Sequence, residues 1–276
     1  MVMVKIRCSS SILAFVLQGA CRQSWSGSGD CVLLDFKNMF FALADSSGRS
    51  PNFSRDLLWH ASEAVEKAAL YSENTACGST GRERVRRGIE AVFEGVLEKF
   101  YGSGSSTLSG LLLSGGAESD EAILVHTGDS SIILLDQSDG KARPLSKSNF
   151  WLAGKTLKMF QVETVRLPRG CRVLMASDGL MELLDRQANG RGCFLESLAS
   201  EECDDSIVDA LYTDALKRPG YDDAGLLLLK PGSVEAYPKK LIMGGRIFPT
   251  AVTPAGEPPA GDYRLREECD VRLLAL

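Results

Sequence analysis

The sequence predicts a protein of the α+β class. Strand-like segments occur in groups, and two long amphipathic helical patterns follow the first group in succession. A regular βαβ repeat would instead place one helix between successive strands. At 276 residues, with 44% hydrophobic and 24% charged residues, the chain is long enough for one large domain with a sizeable core.

The first predicted strand covers residues 12–17, where apolar side chains would point to both faces of a sheet. One face carries Ile12, Ala14 and Val16, and the other carries Leu13, Phe15 and Leu17. Because Lys5 and Arg7 precede this run, it also resembles a secretion signal. The run is short and Gln18 is a poor cleavage-site residue, so we expect a sheet strand.

Two more strands are predicted at residues 32–34 and 39–44, after a Ser/Gly-rich loop that ends at Asp30. A helix is predicted to start at Pro51, and a second helix carries apolar residues from Val85 to Leu97 at helical spacing. Two amphipathic helices in succession are expected to cover a sheet.

The second half of the chain contains further strand patterns and one more helix. The strands are predicted at residues 108–113, 122–127, 131–135, 162–167, 173–176 and 226–229. Gly190 and Gly192 are expected to mark a break in regular structure, and a helix is predicted over 206–216.

Charge and cysteine usage exclude several classes of function. A formal charge of -5 argues against general affinity for nucleic acid, which depends on cationic side chains. No apolar span is long enough to predict a membrane-crossing helix. The eight cysteines lack Cys-x-x-Cys spacing, which predicts reduced thiols in a cytoplasmic protein rather than a zinc ribbon.

Acidic residues stand at the ends of several predicted strands. Asp45 follows the strand at 39–44, Asp178 follows 173–176, and Asp222 precedes 226–229. A carboxylate in such a position is held rigidly and still reaches solvent. Several of them together form a site for hard divalent cations, which prefer oxygen ligands, so the pattern predicts metal-assisted hydrolysis.

In their order along the chain, these segments resemble the metal-dependent protein phosphatases of the type 2C serine/threonine class, in their bacterial form. The matching residues are Asp30, Asp45, Ser106-Thr107, Gly128-Asp129-Ser130, Ser177-Asp178-Gly179 and Asp222-Asp223. The resemblance implies two antiparallel β-sheets packed face to face and flanked by helices, an α-β-β-α sandwich. It covers most of residues 22–230.

The resemblance also implies a catalytic centre with two or three Mn2+ or Mg2+ ions. Asp45, Asp178 and Asp222 would be the principal catalytic carboxylates, with Asp45 bridging two ions and the backbone carbonyl of Ser46 binding one of them. Asp30 would hold a water on the metal. The implied ligands of a third ion are Asp129, Asp178 and Glu182.

The chain departs from the family pattern at several positions. Ser46-Ser47-Gly48 replaces the usual Gly-x-Gly after Asp45, and Asp223 stands where Asn is common. The family's phosphate-binding arginine has two candidates. Arg22 lies farther from Asp30 than expected, and Arg49 could offer its planar guanidinium instead.

Residues 1–230 are therefore predicted to be a phosphatase-like domain, and residues 231–276 a C-terminal extension of unknown role. The extension is rich in proline and is expected to be a surface tail. Lys239, Lys240 and Arg246 around residues 241–243 leave a docking strand as the alternative.

The function implied is hydrolysis of phosphoserine or phosphothreonine in a protein partner by a metal-activated water, in signalling. No nucleic acid or membrane partner is expected. The alternative is a catalytically impaired phosphatase-like module that binds or regulates, and a third possibility is hydrolysis of small phosphoesters. His60 and His126 are expected to be structural, since a metal-activated water requires no histidine base.

Overall fold

The computed structural model describes residues 2–8, 11–19, 28–46, 51–72, 79–113, 121–186, 190–200, 204–216, 222–236, 240–245 and 269–275. The strands are β1 (Val2–Cys8), β2 (Ile12–Leu17), β3 (Ser28–Asp35), β4 (Phe40–Asp45), β5 (Leu108–Leu113), β6 (Glu121–Thr127), β7 (Ser131–Asp136), β8 (Lys141–Pro144), β9 (Gln161–Arg166), β10 (Arg172–Ala176), β11 (Ala224–Leu229), β12 (Lys240–Gly245) and β13 (Cys269–Ala275). The helices are α1 (Pro51–Ser72), α2 (Ser79–Phe100), α3 (Asp178–Asp185), α4 (Gly190–Ala199) and α5 (Asp204–Leu216).

The strands form two antiparallel sheets. The seven-stranded sheet has the order β13-β1-β2-β11-β10-β7-β8, and the six-stranded sheet has the order β12-β3-β4-β5-β6-β9. Apolar side chains from both sheets pack against each other in one central core. Helices α1 and α2 cover the outer face of the six-stranded sheet, and α3, α4 and α5 cover that of the seven-stranded sheet. The predicted α-β-β-α sandwich is thus confirmed.

Strand β2 shows how alternation builds these layers. Ile12, Ala14 and Val16 belong to the core between the sheets. Leu13, Phe15 and Leu17 point the other way, into the layer with α3, α4 and α5. Both faces are as predicted, because successive side chains of a strand point to opposite faces of its sheet.

Several elements differ from the sequence prediction. Strand β1 precedes the first predicted strand and pairs with β2, and β8 forms a short exposed edge beside β7. The break expected at Gly190 and Gly192 is wrong, since α4 starts at Gly190. Burial of Phe194 and Leu198 under the sheet outweighs the weak helix propensity of the glycines.

Two strands lie within the predicted extension, residues 231–276. Strand β12 pairs with β3, and β13 pairs with β1, so each sheet gains one edge strand from this part of the chain. Residues 240–245 therefore form a docked strand rather than a surface tail. In the described part of the chain, no helix is both long and apolar enough to cross a membrane.

The side chain of Thr107 connects three strand ends. Its hydroxyl accepts a hydrogen bond from the N–H of Asp45 at 3.0 Å and lies 2.8 Å from the hydroxyl of Ser130. Its own N–H donates to the carbonyl of Asp45 at 2.8 Å. Thr107 is buried, so it holds the end of β4 against the starts of β5 and β7.

His126 lies in β6, fully buried, with Nδ1 2.9 Å from the hydroxyl of Ser109. Burial lowers the pKa of His126 to about 4 from its ordinary value of 6.5, an effect partly opposed by the nearby backbone of Lys147 and Gly128. His126 is therefore a neutral core residue at pH 7, and His60 lies on α1, so both histidines occupy the expected elements.

Replacing Thr107 with valine tests the connection between strand ends. Thr107→Val keeps the shape but leaves the N–H of Asp45 and the hydroxyl of Ser130 without this partner. We expect the free energy of unfolding in urea to fall by about 1–3 kcal/mol. Thr107→Ser, which keeps the hydroxyl, should lose clearly less, and equal losses in the two variants would contradict the role of the hydroxyl.

The low pKa of His126 predicts a pH-dependent stability. Between pH 6.5 and about 4 the unfolded chain binds a proton that the folded chain excludes, so this residue destabilises the fold as pH falls through that window. In His126→Gln the loss across the window should be smaller by up to about 3 kcal/mol. Urea unfolding at a series of pH values measures the difference, and identical pH slopes would contradict it.

Candidate functional site

The first two carboxylates of the site face each other at one end of the sandwich. Asp30 in β3 and Asp45 in β4 are directly paired in the antiparallel register. Each lies two residues from a residue of the core between the sheets, Asp30 from Val32 and Asp45 from Leu43, and so shares its face of the strand. Their side chains therefore point from the six-stranded sheet toward the seven-stranded sheet.

The seven-stranded sheet supplies the opposite side of the site. Ser177 follows β10, and its N–H donates to the carbonyl of Gly225 at 3.1 Å, while its Oγ accepts from the N–H of Gly225 at 2.9 Å. A Cβ atom on Gly179 would lie 1.9 Å from the carbonyl oxygen of Asp223. Only glycine allows this approach, which brings the start of α3, with Asp178, against the Asp222-Asp223 turn.

The carboxylates are close enough to perturb one another. The pKa of Asp30 is raised well above its ordinary value by burial, by Asp223 and by Asp178. Burial also raises the pKa of Asp45 strongly, followed by the charges of Asp30 and Asp178. The pKa of Asp129, a largely exposed residue, is raised by partial loss of solvent and by Asp178. A divalent cation would offset this accumulation of negative charge.

Asp30 provides the observation that fits a metal ion best. Both of its carboxyl oxygens are buried without a hydrogen-bond partner among the described residues, although Ser177 and Asp45 lie nearby. The backbone crowds it, because a Cβ atom on Gly225 would lie 3.1 Å from Asp30 Oδ2, and one on Gly244 would lie 2.1 Å from the Asp30 carbonyl oxygen. Such a group requires a cation or water for its free oxygens.

Within the described ranges, no three His, Cys, Asp or Glu side chains are arranged as a metal site by themselves. Mg2+ and similar ions are commonly held by one or two carboxylates together with water and substrate phosphate. The charge of Asp178, which raises the pKa of both Asp30 and Asp45, fits that kind of site, with backbone oxygen as a further donor.

The remaining predicted site residues have the following places. Ser46 is buried beside Asp45, and its carbonyl oxygen would lie 3.0 Å from a Cβ atom on Gly29. Asp129 is exposed in the turn between β6 and β7, and Oδ1 of Asp222 accepts the N–H of Asp223 at 2.8 Å. Glu182 lies on α3 and forms an ion pair with Arg186.

Both predicted phosphate-binding residues, Arg22 and Arg49, lie outside the described residues. They stay predictions.

Sequence reasoning did not assign a role to Ser177, Thr107 or Asp223. All three hold backbone groups at the site rather than carry its chemistry. Their positions inside the matched motifs were the available signal. Asp223 in particular stands where the family commonly has Asn, and its Oδ2 accepts a hydrogen bond from the N–H of Gly29.

Comparison with known proteins identifies a family that this chain matches. The family model for Stage II sporulation protein E (SpoIIE) matches residues 84–231, just over half of the chain. The match includes Asp129, Asp178 and Asp222 and begins after Asp30 and Asp45. A search of curated proteins found no match.

Solved structures of phosphatases share the fold. The catalytic domain of the serine/threonine phosphatase PstP, in complex with two manganese ions, has a TM-score of 0.53 at 19% identity over 82% of this chain and 97% of that one. RsbX in complex with magnesium has 0.54 at 20% identity, over 82% and 98%. The PPM phosphatase MsPP from Mycobacterium smegmatis, in complex with cacodylate, has 0.54 at 15% identity, over 81% and 99%.

The family match, the two face-to-face sheets and the acidic strand ends lead to one assignment. The chain belongs to the SpoIIE family and has the fold of the bacterial metal-dependent protein serine/threonine phosphatases.

Proposed function

We propose that this protein is a metal-dependent phosphatase that removes phosphate from phosphoserine or phosphothreonine in a protein partner, in the cytoplasm. The observation that carries the proposal is the buried carboxyl of Asp30, which faces Asp45 and has no hydrogen-bond partner in the described part of the chain. The charge of Asp178 acts on both carboxyls, and Asp222 lies beside Gly179 at the start of α3. Manganese or magnesium in the solved structures of PstP and RsbX supports the choice of ion.

Asp45, Asp178, Asp222 and the carbonyl of Ser46 would hold the ions, with Asp129 and Glu182 at a further position. Bound there, the ions would supply an activated water and neutralise the phosphoryl oxygens. Asp30 would orient a water through its buried carboxyl. Helix α3 begins at Asp178, so its N-terminal backbone N–H groups lie next to these carboxylates. The N-terminus of a helix favours the binding of negatively charged groups.

The direct test is hydrolysis of a phosphothreonine peptide by the purified chain, with added Mn2+ and after chelation. Activity should rise with metal and disappear with chelator. Hydrolysis that is insensitive to chelator would contradict the metal-dependent mechanism. Small phosphoesters should be hydrolysed less efficiently than the peptide if the substrate is a protein.

A catalytically impaired module is the second candidate function. Ser46 and Ser47 replace the family's more adaptable glycine-containing turn, and the described carboxylates do not by themselves form a ready metal site. Such a module would bind a phosphorylated partner without turnover. Tight phosphopeptide binding with no metal-dependent release of phosphate would favour this candidate.

Asp178→Asn preserves size and removes the charge expected to hold metal. We expect turnover of the phosphopeptide to fall about 100-fold or more, with weaker Mn2+ binding by calorimetry and an intact fold by circular dichroism. Asp185→Asn is the matched control, since Asp185 lies on the same helix and pairs with Arg191 on the surface. Equal activity in the two variants would remove Asp178 from the site.

Alanine substitutions rank the two candidate phosphate-binding arginines. If Arg49 replaces the family's upstream arginine, Arg49→Ala should raise the KM for phosphopeptide much more than Arg22→Ala. Loss of a charge-assisted contact predicts an increase of roughly 10- to 100-fold. Arg87→Ala, on the exposed side of α2, is the control. The reverse ranking would assign the role to Arg22.

A further inference from the structure

The carboxylate of Asp223 joins the two sheets next to the site. Its Oδ1 accepts the N–H of Gly19 at 2.6 Å, and its Oδ2 accepts the N–H of Gly29 at 2.5 Å. Gly19 follows β2 in the seven-stranded sheet, whereas Gly29 lies in β3 of the six-stranded sheet. One buried side chain therefore fixes the distance between the sheets where the carboxylates meet.

Close backbone packing surrounds this connection. A Cβ atom on Gly19 would lie 2.5 Å from the carbonyl carbon of Asp222, and one on Gly179 would lie 1.9 Å from the carbonyl oxygen of Asp223. Asp223 itself is 3% exposed. The Asp222-Asp223 backbone is thus held between two glycines, which leaves the Asp223 carboxylate little freedom to turn elsewhere.

Gly29 is fixed through both of its backbone polar groups. Asp223 accepts its N–H, and its carbonyl accepts hydrogen bonds from the N–H and the hydroxyl of Ser46, each at 3.2 Å. Gly29 immediately precedes Asp30, so these contacts determine where the backbone of Asp30 lies. Among the described residues no hydrogen bond fixes the Asp30 carboxyl oxygens, although Ser177 and Asp45 lie close to them, so the position of the backbone strongly influences where this carboxyl lies.

We propose that Asp223 is a positioning residue that places the Asp30 carboxyl at the metal site, where it would hold a metal-bound water, a proposal that rests on the function proposed above. Two amide donors face Asp223, and a carboxylate offers an acceptor oxygen to each. Asn, common at this position in the family, would direct its NH2 group at one of the two N–H groups. The residue here therefore matches a two-donor environment.

The test is a double-mutant cycle on Mn2+ affinity, measured by calorimetry without substrate. Asp223→Asn should weaken Mn2+ binding about 10- to 100-fold, the usual effect of losing a residue that orients a ligand. In the Asp30→Asn background the same substitution should have little further effect, because both changes act through one carboxyl.

Asp35→Asn is the matched control. Asp35 is a buried carboxylate at the other end of β3, and it also accepts a backbone N–H, that of Asn38 at 3.0 Å. The Asp35→Asn substitution should lower the thermal stability of the protein and leave its Mn2+ affinity unchanged. If Asp223→Asn does not fold, Ser46→Ala removes the hydroxyl bond to Gly29 and should weaken Mn2+ binding, again with little further effect when Asp30 is already Asn.

The outcomes separate this inference from the proposed function. Mn2+ binding by the unmodified chain with unchanged affinity in Asp223→Asn would overturn the positioning role and leave the metal site in place. Additive effects of Asp223→Asn and Asp30→Asn would overturn it as well. Failure of the unmodified chain to bind Mn2+ would contradict the metal-dependent function itself, and the positioning role with it.

Discussion

Burial of the Asp30 carboxyl between two sheets is the constraint on which the site depends. Removing a carboxylate from water costs several kcal/mol when no partner compensates. The packing energy that holds it there comes from the apolar core between the sheets, to which both β3 and β4 contribute. Burial, followed by the charges of neighbouring carboxylates, raises the pKa of Asp30 and Asp45, and a bound cation would offset both effects.

Much of the fold could be predicted from short-range patterns. A continuous apolar run at residues 12–17 and helical spacing after Pro51 correctly identify β2 and α1, because a strand buried on both faces and a helix buried on one face each leave a recognisable pattern in the sequence. Strand β8 is exposed along its length, so it carries no apolar alternation. Helix α4 is hard to predict from the sequence because it contains two glycines, and its stability comes from tertiary packing.

The residues of the site also divide into those that the sequence identifies and those that it does not. Carboxylates at strand ends can be recognised in the sequence, since the chemistry of the residue and the end of the apolar run coincide, as at Asp45 and Asp178. The groups that hold the backbone are harder to predict. The contacts of Thr107 with Asp45, and of Asp223 with Gly19 and Gly29, depend on which strands become neighbours across the two sheets, and a local pattern does not encode that distance.

The pairing of β12 with β3 has a consequence for the order of folding. Gly244 packs against the carbonyl of Asp30 from a strand synthesised long after β3, and Asp223 also comes from the late part of the chain. These contacts are of high contact order, and such pairings form slowly. A nascent chain that ends before β12 leaves an open edge on β3 beside Asp30, which makes this edge a place for mispairing or chaperone binding during synthesis.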